Sequence, residues 1–132
     1  MIKIVITGSR DWPMDKAHLI WEALEQVWTA LQARQETWEN PEVEFHHGMC
    51  PYGGADLIGA SWAHGAGWLV VPHPPLRNVG WAYAKRNQEM IDLNPDYVVA
   101  CFLEGAGNRG TQMTFDMAEK AGISDRIIIV RG

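Results

Sequence analysis

Five short runs rich in β-branched and aliphatic residues alternate with longer stretches of helical periodicity, and that alternation admits few folds. The runs are "IKIVIT" (Ile2–Thr7), "VEFHH" (Val43–His47), "WLVVP" (Trp68–Pro72), "YVVACF" (Tyr97–Phe102) and "RIIIV" (Arg126–Val130). Ile20, Leu24, Val27 and Leu31 recur at helical spacing and mark a first helix from Met14 to about Thr37. Further helices are expected at Ala55–Ala66, Trp81–Leu93 and Thr111–Ala121. Strand–helix–strand units of this kind cross over right-handedly and build parallel sheets covered on both faces. The expected fold is therefore α/β, a Rossmann-like three-layer sandwich around a mostly parallel five-stranded sheet. It is expected to form one domain over residues 1–132. The first run is almost continuously apolar and should be buried on both faces.

The charge balance narrows the partners. A net charge of −5 argues against a general nucleic-acid surface, while a small anion needs only a local pocket. Two cysteines, Cys50 and Cys101, are too few for a disulfide framework and have no zinc-type companions. Cys101 lies in an apolar run and is expected to pack, whereas Cys50 falls in a loop. The chain opens directly on a strand, and no apolar run approaches a membrane span, so a cytoplasmic protein without membrane contact is expected. Seven tryptophans are many for this length. Trp21 and Trp28 lie seven residues apart on the first helix beside its core stripe. A thick core and a homo-oligomer face both explain them.

The unusual residues are not scattered. "TGSRDWP" follows the first strand, "HGMCPYGGAD" the second, "HPPLRNVG" the third and "LEGAGNRGT" the fourth. In a parallel sheet these loops share the carboxyl edge, where open α/β folds bind ligands. Two of them lead into helix starts, at Gly53–Asp56 and Arg109–Thr111. Unpaired amides and a partial positive charge suit such starts to phosphate. Candidate ligand-binding residues are Gly8, Ser9 and Arg10, then His47, Gly48, Gly53, Gly54 and Asp56. Arg86 and Asn87 on the third helix join them, with Gly107, Arg109, Gly110 and Thr111 on the fourth loop. The alternative for the second loop is a plain Gly-Gly turn with Asp56 as a first-turn acid.

Gly105, Gly107 and Gly110 spell G-x-G-x-x-G but follow the fourth strand, and no second mononucleotide unit comes after them. Arg131, after the last strand, is the residue that could meet a 2′-phosphate. No Lys-Ser/Thr pair closes a Walker loop. His46 and His47 are adjacent in a strand, so their side chains diverge, and no metal site or cofactor is expected. His73 sits at the same edge, where it could touch a ligand or satisfy a carbonyl. Trp12 and Trp81 are candidates to stack on a base or to pack in the core.

"ITGSRDW", "HGMCPYGGAD", "RNQEM" and "GNRGTQM", in this order, resemble the SLOG superfamily, in particular its small YpsA-related branch. The resemblance implies a Rossmann-like fold that binds nucleotides or nucleotide-derived molecules, often as a dimer. Its relatives include LOG phosphoribohydrolases, which release the base from nucleoside monophosphates, and domains that sense ADP-ribose-type ligands. The LOG-type arginine of the third helix is matched by Arg86, and the phosphate loop by Gly107, Gly110 and Thr111. The LOG-type glutamate three residues beyond the threonine is here Thr114, which cannot act as a carboxylate base. The loop is also one residue longer, with Asn108 and Arg109 between its glycines.

Two functions follow. One is a binding module for a nucleotide or ADP-ribose-like ligand, with its phosphate held by the glycine-rich helix starts. The other is a nucleotide N-glycosidase or phosphoribohydrolase, with Arg86 and the acids Asp11 and Glu104 as candidate catalytic residues and Asp56 as a further acid on the edge.

Overall fold

A computed structural model describes residues 1–34, 42–48 and 53–132. Cys50 and the expected end of the first helix at Thr37 fall outside the described residues. Among these residues the chain runs β1 (Ile2–Gly8), α1 (Ala17–Ala33), β2 (Val43–His47), α2 (Ala55–Gly65), β3 (Leu69–Pro72), α3 (Gly80–Asp92), β4 (Tyr97–Phe102), α4 (Arg109–Lys120) and β5 (Ile127–Arg131). The strands form one sheet in the order β3-β2-β1-β4-β5, parallel at every pairing. That is the expected Rossmann-like sandwich. Helices α1 and α2 pack together on one face, α3 and α4 on the other.

The element ends differ from expectation where local chemistry intervenes. Pro13 accepts a bond from Lys16 N at 3.1 Å, so Met14–Lys16 forms a 3-10 turn ahead of α1. Helix α4 starts at Arg109, two residues early. Its N-cap, Asn108, does not cap through its side chain. That side chain folds back instead, accepting from Leu103 N at 3.0 Å and donating to Leu103 O at 2.9 Å. This closes the loop onto the end of β4 and lets the chain enter the helix at once.

The two faces are unequal. Ile4, Ile6, Phe45, Val99 and Cys101 meet Ile20, Leu24 and Val27 of α1 and Ile58 of α2 in one large cluster. Trp68, just ahead of β3, closes its far end, edge-on to Trp62 at 5.1 Å and near Phe45 at 6.3 Å. The opposite face has a small apolar cluster of Ile91, Val98, Ala118 and Ile123. Buried polar residues occur as well, among them His46, Asn87, Thr111 and Thr114. Strand β1 is closed on both faces, as expected: Ile4, Val5 and Ile6 have no exposed surface. Trp21 and Trp28 each keep about two-fifths of their surface in solvent. No helix among the described residues is long and apolar enough to cross a membrane.

Candidate functional site

The sheet order reverses between β1 and β4, and it is at the carboxyl ends of such a switch point, among the loops after β1, β2 and β4, that open α/β sheets take their ligands. The first two are joined through Ser9. Its carbonyl accepts from Ala55 N at 3.0 Å, taking the first amide of α2, and from Trp12 N at 3.3 Å. Its buried hydroxyl accepts from Asp11 N at 3.0 Å. Gly54 lies directly over Arg10 with φ +85°, and a Cβ there would come within 2.6 Å of the Arg10 carbonyl carbon and oxygen. Gly8 is equally constrained: a Cβ would meet that of Ala55 at 2.5 Å and that of Cys101 at 2.8 Å. The side chains of Arg10 and Asp11 point into solvent.

Arg86 organises the ends of β2 and β3. It donates from Nη1 to Gly48 O and, at 3.4 Å, to His73 O, and from Nε to Asn87 Oδ1 at 2.7 Å. Its guanidinium carbon stands 5.5 Å from the centre of the Tyr83 ring. A Cβ at Gly48 would lie 2.6 Å from that guanidinium carbon, so any larger residue there would push the Arg86 tip aside. Asp56, in the first turn of α2, accepts from Gly48 N at 3.1 Å. Asn87, a candidate ligand-binding residue, faces inward with 4% of its surface exposed, held by Arg86 and 4.0 Å from Met113 Sδ.

His46 pairs with His73, Nδ1 to Nε2 at 2.7 Å, and approaches Glu44 at 3.3 Å. His47 is buried, and its carbonyl accepts from His73 N at 2.7 Å. Among the described residues no cluster of three or more metal-ligating side chains occurs.

The fourth loop is different in kind. Arg109 and Gly110, the first two residues of α4, are exposed, and a Cβ at Gly107 or Gly110 would meet nothing within 4 Å. Thr111 is buried behind them. Thr114 is fully buried and its hydroxyl donates to Gly110 O at 3.2 Å, so it is turned back onto its own helix. Trp12, considered for base stacking, is buried against Gly132 and donates from Nε1 to Lys16 O. Trp81 is 57% exposed on α3.

Burial raises the Asp56 carboxyl from its usual range to about 6, against the opposing pull of the Arg86 charge and the Gly48 amide. Burial likewise lowers His47 and His73, aided by the neighbouring imidazoles and Arg86. The Cys101 thiol is pushed up by burial and by the Asp56 charge, and is inert as a nucleophile at neutral pH. A carboxyl raised in the folded state favours folding while protonated, and that contribution fades as pH climbs from about 4 through about 6. Asp56→Asn should thus gain thermal stability over the wild type as pH rises from 4 to 7, read as the difference in Tm. His47 and His73 act oppositely, losing stability as pH falls through the usual histidine range, but they are common to both proteins and cancel in that difference.

Sequence reasoning missed a depression of about 400 Å³ beside the fourth loop, lined by Phe102, Leu103, Glu104, Asn108, Arg131 and Gly132. The register that pairs Phe102 with Arg131 creates it, and no local pattern signals that register. A second, shallower groove of about 590 Å³ runs between α3 and α4 past Arg109, Gln112 and Met113. The Arg86–Gly48 contact was equally hidden, since its partners are 38 residues apart.

Residues 2–78 match the YAcAr family, described as YspA, cpYpsA-related SLOG. The chain belongs to this SLOG family. The matched part carries β1 to β3, the Ser9 hub, Gly48, Gly54 and Asp56, and ends before α3. Arg86 and the β4 loop lie beyond it, so what is said of them rests on geometry. No curated protein and no solved structure matches the chain.

Proposed function

We propose that this SLOG domain binds a nucleotide or nucleotide-derived molecule of the ADP-ribose type at the carboxyl edge of its sheet. Its phosphate lies against the start of α4, across the β1 loop from the start of α2. One observation carries the reading: α4 begins in open solvent beside the switch point, with Arg109 and two uncrowded glycines around its free amide end. At α2, by contrast, Ser9 O already occupies the first amide. Family membership supports a nucleotide-related ligand.

Titration calorimetry with AMP and ADP-ribose tests it. Arg109→Ala should weaken binding by roughly 1.5–3 kcal/mol, the worth of one charge-assisted contact. Unchanged affinity would remove the phosphate from α4. The cytoplasm is the proposed compartment. A homodimer through the half-exposed Trp21 and Trp28 completes the reading and is checked by light scattering.

A second reading, N-glycosidic cleavage, is favoured by Asp56. Of the three acids considered, Asp11 and Glu104 are exposed, whereas Asp56 is partly buried and titrates near the range suited to acid–base work. It requires release of base from nucleoside monophosphates, lost in Asp56→Asn while binding persists. Absence of release across such a panel leaves the binding module alone.

A further inference from the structure

The depression between β4 and β5 has a lining suited to a flat ring. Phe102 forms one wall, and the Arg131 guanidinium stands 5.5 Å from the centre of its ring. The floor is rigid backbone: Gly132 N donates to Phe102 O at 2.9 Å, and Glu104 N to Gly132 O at 2.8 Å. Trp12 packs beneath Gly132 and leaves no room for a side chain there. Glu104 lines the depression and is exposed, so its carboxylate is available to accept from a donor. Neither Glu104 nor Arg131 bonds through its side chain to another described residue, so both charged ends face solvent.

Position matters as much as lining. Asn108 belongs to this depression and is also the N-cap of α4, so the pocket and the open helix start share one wall. A ligand with its phosphate on α4 would carry its other end over Asn108 and into the depression. The volume, about 400 Å³, lies within the range of clefts that hold small molecules.

We propose that this depression is the base subsite, taking a purine that carries an exocyclic amino group, with the ring stacked on the outer face of the Arg131 guanidinium, whose inner face covers Phe102, and the amino group donating to Glu104. The proposal rests on the nucleotide reading above and replaces Trp12 and Trp81 as base-stacking candidates. Stacking on a guanidinium plane needs arginine's flat face, which lysine lacks at equal charge. The carboxylate can only accept, so it discriminates among bases by their donors.

Calorimetry with four probes separates the possibilities: AMP, GMP, purine riboside 5′-monophosphate and ribose 5-phosphate. Arg131→Lys should weaken AMP or GMP by roughly ten-fold, the usual worth of one stacked base, and leave ribose 5-phosphate unchanged. Glu104→Ala should weaken the amino-bearing nucleotide and spare purine riboside 5′-monophosphate. Both side chains are exposed, so the variants should melt with the wild type. Equal loss of ribose 5-phosphate and AMP in Arg131→Lys would make this a phosphate contact and overturn the base assignment. Unchanged nucleotide affinity in both variants would overturn it too, while leaving the phosphate reading intact. Failure of the wild type to bind any probe would overturn the base assignment, and failure to bind ADP-ribose as well would overturn both.

Discussion

Gly54→Ala should destabilise the protein by roughly 3–5 kcal/mol, combining a backbone strained for any side chain with a clash that cannot relax. Gly54 holds φ +85° and ψ −163°, a region populated almost only by glycine. Its hypothetical Cβ would strike the Arg10 carbonyl carbon and oxygen, which are backbone atoms and cannot swing aside like a side-chain tip. The two elements would have to separate, breaking the Ser9 carbonyl's bond to Ala55 N. A fall in Tm on the order of 10 °C or more is expected for a domain of this size. Gly53→Ala is the control. Its φ is +98°, yet nothing lies within 4 Å of its Cβ, so it should lose only the strain, about 1–3 kcal/mol. Equal losses in the two variants on chemical denaturation would show that the close approach to Arg10 contributes nothing.

Arg86→Ala should cost about 3 kcal/mol, from charge-assisted bonds to Gly48 O and His73 O that water only partly replaces. The loss reaches beyond those carbonyls. The Asn87 amide oxygen is buried behind Arg86 and would lose its donor, and Tyr83 would lose its stacked cation. Arg86 also holds the Asp56 pKa down, so without it that carboxyl should titrate higher still. The deficit should therefore widen as pH rises from 4 to 8, because an ionised Asp56 then sits buried without its countercharge. Arg86→Lys keeps a charge without the planar fork, and should restore more of the pH dependence than of the stability at pH 4. Wild-type stability of Arg86→Ala at pH 7 in urea would show that the contact is incidental. These contacts make Arg86 a positioning residue that ties the ends of β2 and β3 together, whatever else it touches when ligand is bound.

The strands were legible because their signal is local: alternation of apolar runs with helical periods places all five within a residue or two. Placement of the unusual loops on one edge followed from parallel connection alone, and the parallel sheet bears it out. Side-chain direction was not legible. Asn87 follows Arg86 directly, yet on a helix neighbouring residues point about 100° apart, and it is Asn87 that turns inward. Trp12 was open between base stacking and core packing, and the closing of Gly132 over it makes it core.

Thus the order of residues by itself determined the architecture and the edge on which chemistry is possible, since strand period, helix period and crossover handedness are properties of short segments. Only the tertiary structure decided which groups at that edge are engaged and which are open. It spends Ser9, Gly48 and Arg86 on joining loops, buries Thr111 and Asn87, and leaves the start of α4 and the Phe102–Arg131 depression facing solvent. Those outcomes depend on contacts between segments tens of residues apart, and close packing settles them only once every element is in place.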